Sequence, residues 1–198
     1  MKRRQVLTLA GRTIALAAIA GIPACRGRAT IGKHAALDAA AFHAARRYAP
    51  TPFGNIAYVE RGAGDVALFL HGFPLNGFQW RGAIDRLSPY RRCIAPDFLA
   101  MGYTQVADGQ QVGPDAQAQM LVALLDTLGI RRVDLIANDS GGAVAQLFMM
   151  RNPQRVRSVL LTNCDVETDS PPAALLPVIE SLPLPPSTFS SRRTRLPD

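Results

Sequence analysis

Residues 133–148 constrain the fold of this chain more than any other segment. The segment begins as a mainly apolar run over 133–137 that only Asp134 interrupts, turns at Asp139 and continues with apolar residues at helical spacing. The positions that such a turn would crowd are small: Ala137 lies two before Asp139, and Gly141 and Gly142 follow two and three after it. A strand that turns directly into a helix exposes the side chain at the tip of the turn. The sequence therefore predicts a strand, an elbow and a helix that present the carboxylate of Asp139.

Strand and helix signals alternate along the rest of the chain. Short apolar runs bounded by glycine or proline predict strands over 55–61, 66–70, 92–96, 133–137 and 156–162. Apolar residues at helical spacing predict helices over 80–87, from Pro114 to Gly129, and over 142–151. The run 66–70 is apolar throughout, which is typical of a strand covered on both faces. This alternation predicts an α/β fold with a mainly parallel sheet.

The basic residues are concentrated at the two ends of the chain. The 198 residues have a formal net charge of +7, but residues 1–33 alone hold seven basic and no acidic residues. Residues 34–186 hold twelve basic and fourteen acidic residues. A nucleic-acid-binding surface needs basic residues gathered on the folded domain. The charge distribution therefore argues against a nucleic-acid partner.

The first 25 residues have the layout of a bacterial export signal. Basic residues precede an apolar run over 14–22, which is too short to span a bilayer as a helix of about 20 residues. Arg3 and Arg4, followed by Gln-Val-Leu, resemble a twin-arginine signal, and an ordinary secretory signal is the alternative. The residues Ile-Pro-Ala-Cys that end at Cys25 resemble a lipoprotein cleavage site. We expect export to the periplasm, with anchoring to the membrane through a lipid if Cys25 is modified.

Composition divides the remainder into three parts. Residues 26–47 are predicted to be a linker, because their alanine-rich portion is typical of a mobile tether or a short helix. Residues 48–180 carry the strand and helix signals of a folded domain. Residues 181–198 are rich in proline, serine and arginine and have no periodicity, which predicts a disordered tail.

Three cysteines and the absence of metal-ligand spacing limit the chemistry further. An odd number of cysteines argues against a disulfide framework. Cys93 lies in an apolar run and is predicted to fill the core, whereas Cys164 lies at a strand end with no histidine close in sequence. We expect neither a catalytic thiol nor a metal or cofactor.

Three motifs, in this order and context, resemble those of the α/β-hydrolase superfamily over residues 48–179. The resemblance implies an α/β-hydrolase core with a mainly parallel sheet, incomplete because the family's last strands and cap region are missing. The motifs are Leu70-His71-Gly72-Phe73-Pro74, which matches the oxyanion-hole loop, Ala95 to Thr104, which matches the turn after the next strand, and Asn138-Asp139-Ser140-Gly141-Gly142, which matches the elbow.

Aspartate at the elbow tip is similar to the branch that contains haloalkane dehalogenases and epoxide hydrolases. A carboxylate can attack an sp³ carbon, displace halide or open an epoxide, and form an alkyl-enzyme ester. The resemblance implies that Asp139 is the nucleophile and that the backbone N–H groups of Phe73 and Ser140 stabilise the oxyanion when water hydrolyses the ester. The implied substrate is a small organic epoxide or haloalkane. The alternative is that Asp139 only caps the helix.

Departures from the branch leave other interpretations open. Dehalogenases usually carry tryptophan after the nucleophile and often asparagine after His-Gly, where this chain has Ser140 and Phe73. The motif His-Gly-Phe-Pro is common in epoxide hydrolases. In those enzymes, however, the tyrosines that polarise the epoxide come from the cap region that is missing here. A serine-type esterase that uses Ser140 is a lesser alternative. A trypsin-like protease is disfavoured, because Asp139 and Ser140 here lie between an apolar strand and a helix, whereas those enzymes are all-β.

The remaining catalytic partners decide what this chain can do. In one group of dehalogenases, the position of the acid that orients the histidine base falls on Asn163 of this chain, and Asp165, two residues later, is the candidate for that acid here. In the family that base follows the last strand, whereas the histidines of this chain are His34, His43 and His71. We therefore expect little or no turnover. An inactive truncated fragment or a non-catalytic envelope lipoprotein is the competing hypothesis.

Overall fold

The computed structural model of the chain describes residues 37–164 and residue 177. The export signal over 1–25, Cys25 and the tail over 181–198 lie outside the described residues. The elements of residues 37–164 are α1 (Ala39–Ala44), β1 (Arg46–Thr51), β2 (Gly54–Arg61), β3 (Val66–Leu70), α2 (Arg81–Leu87), β4 (Arg92–Pro96), α3 (Pro114–Thr127), β5 (Val133–Asp139), α4 (Ser140–Arg151) and β6 (Val156–Cys164), with 3₁₀ turns at Gly77–Trp80 and Pro153–Arg155.

The six strands form one sheet in the order β1-β2-β4-β3-β5-β6. Strand β3 pairs in parallel with β4 and with β5, and β5 pairs in parallel with β6. The pairs β1–β2 and β2–β4 are antiparallel. Helices α2 and α4 provide the crossovers between the parallel neighbours β3–β4 and β5–β6, and α3 connects β4 to β5 on the other side of β3. The predicted α/β fold with a mainly parallel sheet is confirmed.

Strand β3 lies between two apolar layers. Its side chains alternate in direction, so Leu68 packs on one face of the sheet and Phe69 on the other. Both side chains are fully buried, and burying a large apolar side chain stabilises a fold by about 1.5–3 kcal/mol. The prediction that this strand is covered on both faces is confirmed. One layer includes Leu121, Leu124 and Phe148 from α3 and α4, and the other includes Phe42 and Ile84 from α1 and α2.

Of the predicted linker over 26–47, the structure describes residues 37–47. Residues 37–47 include the short helix that was one of the two alternatives, but also the start of β1, which was not predicted. Leu37 and Phe42 are buried, and the ring of Phe42 packs edge-on against Phe78 at 5.3 Å between centroids. Because alanine dominates the composition of this segment, the sequence did not indicate that these two large apolar side chains cover the sheet.

Strand β6 is the last strand of the sheet within residues 37–164. Val159, Leu160 and Leu161 are exposed, although consecutive side chains of a strand point to opposite faces. Both faces of β6 therefore carry exposed apolar side chains. No helix in residues 37–164 has both the length and the apolar character needed to cross a membrane.

Candidate active site

Asp139 stands where β5 ends and α4 begins. Its backbone has φ 55° and ψ −136°, in the positive-φ region that residues other than glycine rarely adopt. Such a conformation costs about 1–3 kcal/mol and persists only where the surrounding structure holds it. The chain thereby passes from strand to helix without a loop, and the predicted elbow is present.

The glycine pair allows α4 to begin between two strand ends. A Cβ atom on Gly141 would lie 2.5 Å from the carbonyl oxygen of His71, which follows β3. A Cβ atom on Gly142 would overlap the side chain of Cys164 at the end of β6. Ala137, the third small residue of the motif, is fully buried. The need for small residues therefore comes from the approach of neighbouring strands as well as from the turn itself.

The carboxylate of Asp139 receives two backbone N–H groups on the same oxygen. Phe73 N–H donates to Oδ1 at 3.1 Å, and Ser140 N–H donates to Oδ1 at 2.6 Å. Phe73 N–H is shared with Ser140 Oγ, which accepts at 2.9 Å. A Cβ atom on Gly72 would lie 2.6 Å from Asp139 Cβ, so glycine allows this close approach. The structure thus brings together Asp139 and the two amides named from the sequence.

This geometry differs from that of an ordinary helix cap. A capping side chain usually accepts from the second or third helical residue, and its backbone is extended. Asp38 caps α1 in this way: φ is −68°, ψ is 179°, and the side chain accepts from Ala41 N–H. Asp139 instead accepts from the first helical residue, Ser140, and also from Phe73 in another loop. Capping alone does not account for the second donor.

His71 is buried and bonded to the backbone through both ring nitrogens. Phe98 N–H donates to Nε2 at 3.0 Å, so Nδ1 carries the proton and donates to the carbonyl oxygen of Gly72 at 2.9 Å. Burial lowers the pKa of His71, although the bond to Gly72 and the charge of Asp97 oppose this effect. The ring is therefore neutral near pH 7 and shapes the loop.

The second motif, Ala95 to Thr104, makes hydrogen bonds at the same end of the sheet as Asp139. The carboxylate of Asp97 accepts from Gly77 N–H at 2.8 Å and from Tyr103 N–H at 2.9 Å. Phe98, the next residue, donates to His71. The loop after β4 and the loop after β3 are therefore joined by buried hydrogen bonds. Pro74 follows a cis peptide bond from Phe73.

Gln79 is a site residue that the sequence analysis missed. Gly72 N–H donates to Gln79 Oε1 at 2.9 Å, and Gln79 Nε2 donates to Asn138 Oδ1 at 2.6 Å. Asn138 Nδ2 in turn donates to the carbonyl oxygen of Thr162 at 2.8 Å. The available signal was a polar residue between Phe78 and Trp80 in an otherwise apolar turn.

The other residues named from the sequence lie in different situations. Asp165 lies outside the described residues, and Asn163 is exposed with φ 46° at the end of β6. Cys93 is fully buried, as predicted, and burial raises the pKa of its thiol to about 11. Among the described residues no cluster of histidine, cysteine, aspartate or glutamate could hold a metal ion.

A surface groove of about 860 Å³ lies at the opposite end of the sheet from Asp139. It is lined in part by Asp65, Arg155 and Arg157, which lie at or just before the amino ends of β3 and β6. Arg157 pairs with Asp65, and Arg155 pairs with Asp126. In open α/β sheets ligands bind outside the carboxyl ends of the strands, where Asp139 lies. The elbow, rather than this groove, is the candidate active site.

A mainly parallel sheet, a strained elbow and an N–H pair beside it define a hydrolase-type α/β architecture. The sequence profile described as alpha/beta hydrolase fold matches residues 66–193. The chain therefore belongs to the α/β-hydrolase family.

Individual relatives include enzymes of the predicted branch. The chain is 42% identical over 118 residues to a protein named haloalkane dehalogenase from Mesorhizobium japonicum, which covers 56% of this chain and 36% of that protein. It is 38% identical over 103 residues to a 2-hydroxy-6-oxo-2,4-heptadienoate hydrolase from Pseudomonas putida, and this match covers 50% of this chain and 37% of that protein. A solved structure of a Vigna radiata epoxide hydrolase mutant matches with a TM-score of 0.56 and 31% identity over 59% of this chain and 37% of that one. The predicted resemblance is confirmed, and the chain spans less than half the length of these relatives.

Proposed function

We propose that this protein attacks an sp³ carbon of a small epoxide or haloalkane through Asp139. The observation that carries the proposal is the pair of N–H groups, from Phe73 and Ser140, on one carboxylate oxygen of a residue held in a strained elbow. A carboxylate needs no general base for such an attack. The similarity to a dehalogenase and to an epoxide hydrolase supports the same chemistry.

The two carboxylate oxygens would have different roles. Oδ1 accepts both N–H groups, so Oδ2 is the oxygen that would form the new bond to carbon. With an epoxide, the C–O bond breaks, the electron pair goes to the epoxide oxygen, and that oxygen takes a proton from water. With a haloalkane, halide leaves with the electron pair. The product in both cases is an ester of Asp139 whose carbonyl oxygen, Oδ1, already faces Phe73 N–H and Ser140 N–H.

The N–H pair would serve the second step directly. Water that attacks the ester carbon places negative charge on Oδ1, where two preorganised donors stabilise it. Within the described residues the histidine nearest this site in the fold is His71, whose two ring nitrogens bond to the backbone. We therefore propose that the ester persists on this chain instead of being hydrolysed rapidly.

Mass spectrometry of the intact protein tests the proposal. The full chain is incubated with 1,2-epoxyhexane or with 1-bromohexane, and the modified residue is located by peptide mapping. We expect one equivalent of label on Asp139, none on an Asp139→Asn variant, and normal labelling of an Asp108→Asn control at an exposed turn. Labelling that Asp139→Asn leaves unchanged, or no labelling by either compound, contradicts the nucleophilic role and favours the non-catalytic hypothesis.

A serine-type esterase is the second candidate, because Ser140 Oγ lies 2.9 Å from Phe73 N–H. This function would require a base that takes the proton of the Ser140 hydroxyl, whereas the adjacent carboxylate of Asp139 accepts the backbone N–H groups of Ser140 and Phe73. Incubation with p-nitrophenyl butyrate distinguishes the two. Acylation of Ser140 that is lost in Ser140→Ala and retained in Asp139→Asn would favour the esterase.

We propose further that the chain is exported and anchored through Cys25. The support is the sequence of residues 1–25 alone. Fractionation of a bacterial host that expresses the full chain tests this. We expect the protein in the membrane fraction, release of a Cys25→Ser variant into the periplasm, and retention in the cytoplasm when Arg3 and Arg4 are both replaced by lysine. A Cys25→Ser variant that stays in the membrane fraction contradicts lipidation.

A further inference from the structure

We propose that Gln79 is a positioning residue that sets the distance between the oxyanion loop, residues 71–74, and Asp139. The inference rests on the proposed nucleophilic role of Asp139. Its basis is a chain of three side-chain hydrogen bonds that joins the loop to the elbow and to β6.

The donor and acceptor of every hydrogen bond in this series follow from the first bond. Gly72 N–H can only donate, so the Gln79 atom that faces it at 2.9 Å is Oε1. Gln79 Nε2 is then left to donate to Asn138 Oδ1 at 2.6 Å. Asn138 Nδ2 is left to donate to the Thr162 carbonyl oxygen at 2.8 Å. Rotating either amide by 180° would place like groups against each other at both of its ends.

The bond to Gln79 decides which amide of the loop faces the carboxylate. Gly72 N–H is directed at Gln79, and Phe73 N–H, one residue later, is directed at Asp139 Oδ1. Gly72 also approaches Asp139 so closely that an added Cβ atom would lie 2.6 Å from Asp139 Cβ. A shift of the loop would therefore change the Phe73 to Asp139 distance at once.

Gln79 stands on a firmly held turn. Gly77 N–H donates to the buried carboxylate of Asp97 at 2.8 Å, and Phe78 N–H donates to Asn76 Oδ1 at 2.9 Å. These bonds fix the 3₁₀ turn Gly77–Trp80 on the loop after β4. Through Gln79, that loop restrains the oxyanion loop as well.

Asn138 links the same restraint to the elbow. It immediately precedes Asp139, and its side chain bonds to Gln79 and to Thr162. The loop that supplies Phe73 N–H and the elbow that supplies Ser140 N–H are thus held by one hydrogen-bond network. We infer that the network keeps both donors aimed at one oxygen.

The experiment uses two variants of Gln79 in the full chain. Gln79→Met has a similar length but loses both hydrogen bonds, whereas Gln79→Glu keeps the acceptor for Gly72 N–H. Gln154→Met, at an exposed position in the turn Pro153–Arg155, is the matched control. For each protein the rate of Asp139 alkylation by 1,2-epoxyhexane is measured against probe concentration, and amide hydrogen exchange is measured at Gly72 and Phe73.

Positioning predicts a specific pattern. We expect Gln79→Met to lower the maximal alkylation rate constant about tenfold at an unchanged half-saturating concentration, because misplacement of reacting groups affects the chemical step. Gln79→Glu should retain an intermediate rate, and Gln154→Met should match the wild type. Exchange at Gly72 and Phe73 should accelerate in Gln79→Met and less in Gln79→Glu.

The two proposals fail in distinguishable ways. The role of Gln79 is overturned if Gln79→Met alkylates Asp139 at a rate within twofold of the wild type, or if amide exchange at Gly72 is unchanged. Either result holds even if the melting temperature of the variant falls. Absence of labelling in the wild type overturns the nucleophilic role of Asp139. In that case the exchange measurement still decides whether Gln79 holds the loop.

Discussion

The backbone N–H of Phe73 donates to Oδ1 of Asp139 at 3.1 Å, although 66 residues separate the two along the chain. The parallel pairing of β3 with β5 explains this proximity. Leu70, at the end of β3, is in register with Ala137, two residues before Asp139. Residues that follow neighbouring parallel strands emerge at the same edge of the sheet, so the oxyanion loop and the elbow meet there.

Replacing Gly72 with alanine should disturb this relationship. The new Cβ atom would lie 2.6 Å from Asp139 Cβ, so either the loop or the carboxylate must move. We expect Asp139 alkylation to slow by about tenfold or more. Gly113→Ala, where an added Cβ atom meets nothing within 4 Å, is the matched control and should label normally. Equal labelling rates in both variants would contradict the prediction.

Replacing Gly142 with alanine should destabilise the domain through a clash with Cys164. Overpacking of this kind costs about 1–3 kcal/mol in the free energy of unfolding. Urea unfolding measures the loss. Because the clash involves one neighbour, a Cys164→Gly substitution should be less harmful in the Gly142→Ala background than alone. Strictly additive effects of the two substitutions would argue against direct contact.

The buried His71 should make the folded protein less stable in mild acid. Burial lowers its pKa below the ordinary value of 6.5, so the unfolded chain binds a proton first as the pH falls. The stabilising effect of the neutral ring is therefore complete above the unfolded pKa and is lost as the pH falls below about 6.5. We expect the free energy of unfolding to decrease between pH 7 and pH 5. A His71→Gln variant should show a flatter dependence, and an equally steep one would contradict this assignment.

Cys93 should resist alkylation in the native protein. Its side chain is fully buried, and with a pKa of about 11 only about one thiol in a thousand is ionised at pH 8. Iodoacetamide at pH 8 should modify Cys93 rapidly in urea and very slowly without it. Peptide mapping measures both rates in the same sample, with the partly exposed Cys164 as the internal comparison. Fast native modification of Cys93 would contradict its place in the core.

Strand β6 should promote aggregation through its exposed apolar side chains. Leu160 is 56% exposed in the last strand of the described sheet, and charged residues at such edges oppose association. Leu160→Lys should reduce light scattering of concentrated solutions while changing the free energy of unfolding by less than about 0.5 kcal/mol. Tyr90→Lys, at another exposed position, is the control. An equal improvement from both variants would indicate a general charge effect.

Several elements were predictable because their signals are local. The strand boundaries at Val66–Leu70 and Arg92–Pro96 match the prediction, since continuous apolar runs ended by polar or turn residues define them. Other elements were located with small errors: β5 extends to Asp139, and α4 begins at Ser140 instead of Gly142. The elbow has no separate loop, because the strain is confined to one residue.

Strand β1 was not predicted, and the reason is physical. Its residues, Arg46–Thr51, include two arginines and a proline, and they form a strand because they pair with β2 at the edge of the sheet. Phe42 was similarly hidden, since a single aromatic residue in an alanine-rich segment has no periodicity. Pairing partners and burial are properties of the assembled sheet.

The chain's own order of residues determined the mainly parallel α/β architecture and the elbow. These features follow from apolar periodicity and from the small residues that a tight turn requires, and both act over short stretches of sequence. The two amides beside Asp139 were named from the resemblance of the loop and elbow motifs to those of the α/β-hydrolase superfamily. Only the tertiary structure decided that both amides meet one carboxylate oxygen, that His71 is locked to the backbone, and that Gln79 joins the loop to the elbow. Hydrogen bonds across 27 to 66 residues depend on distances that exist only after the strands have paired.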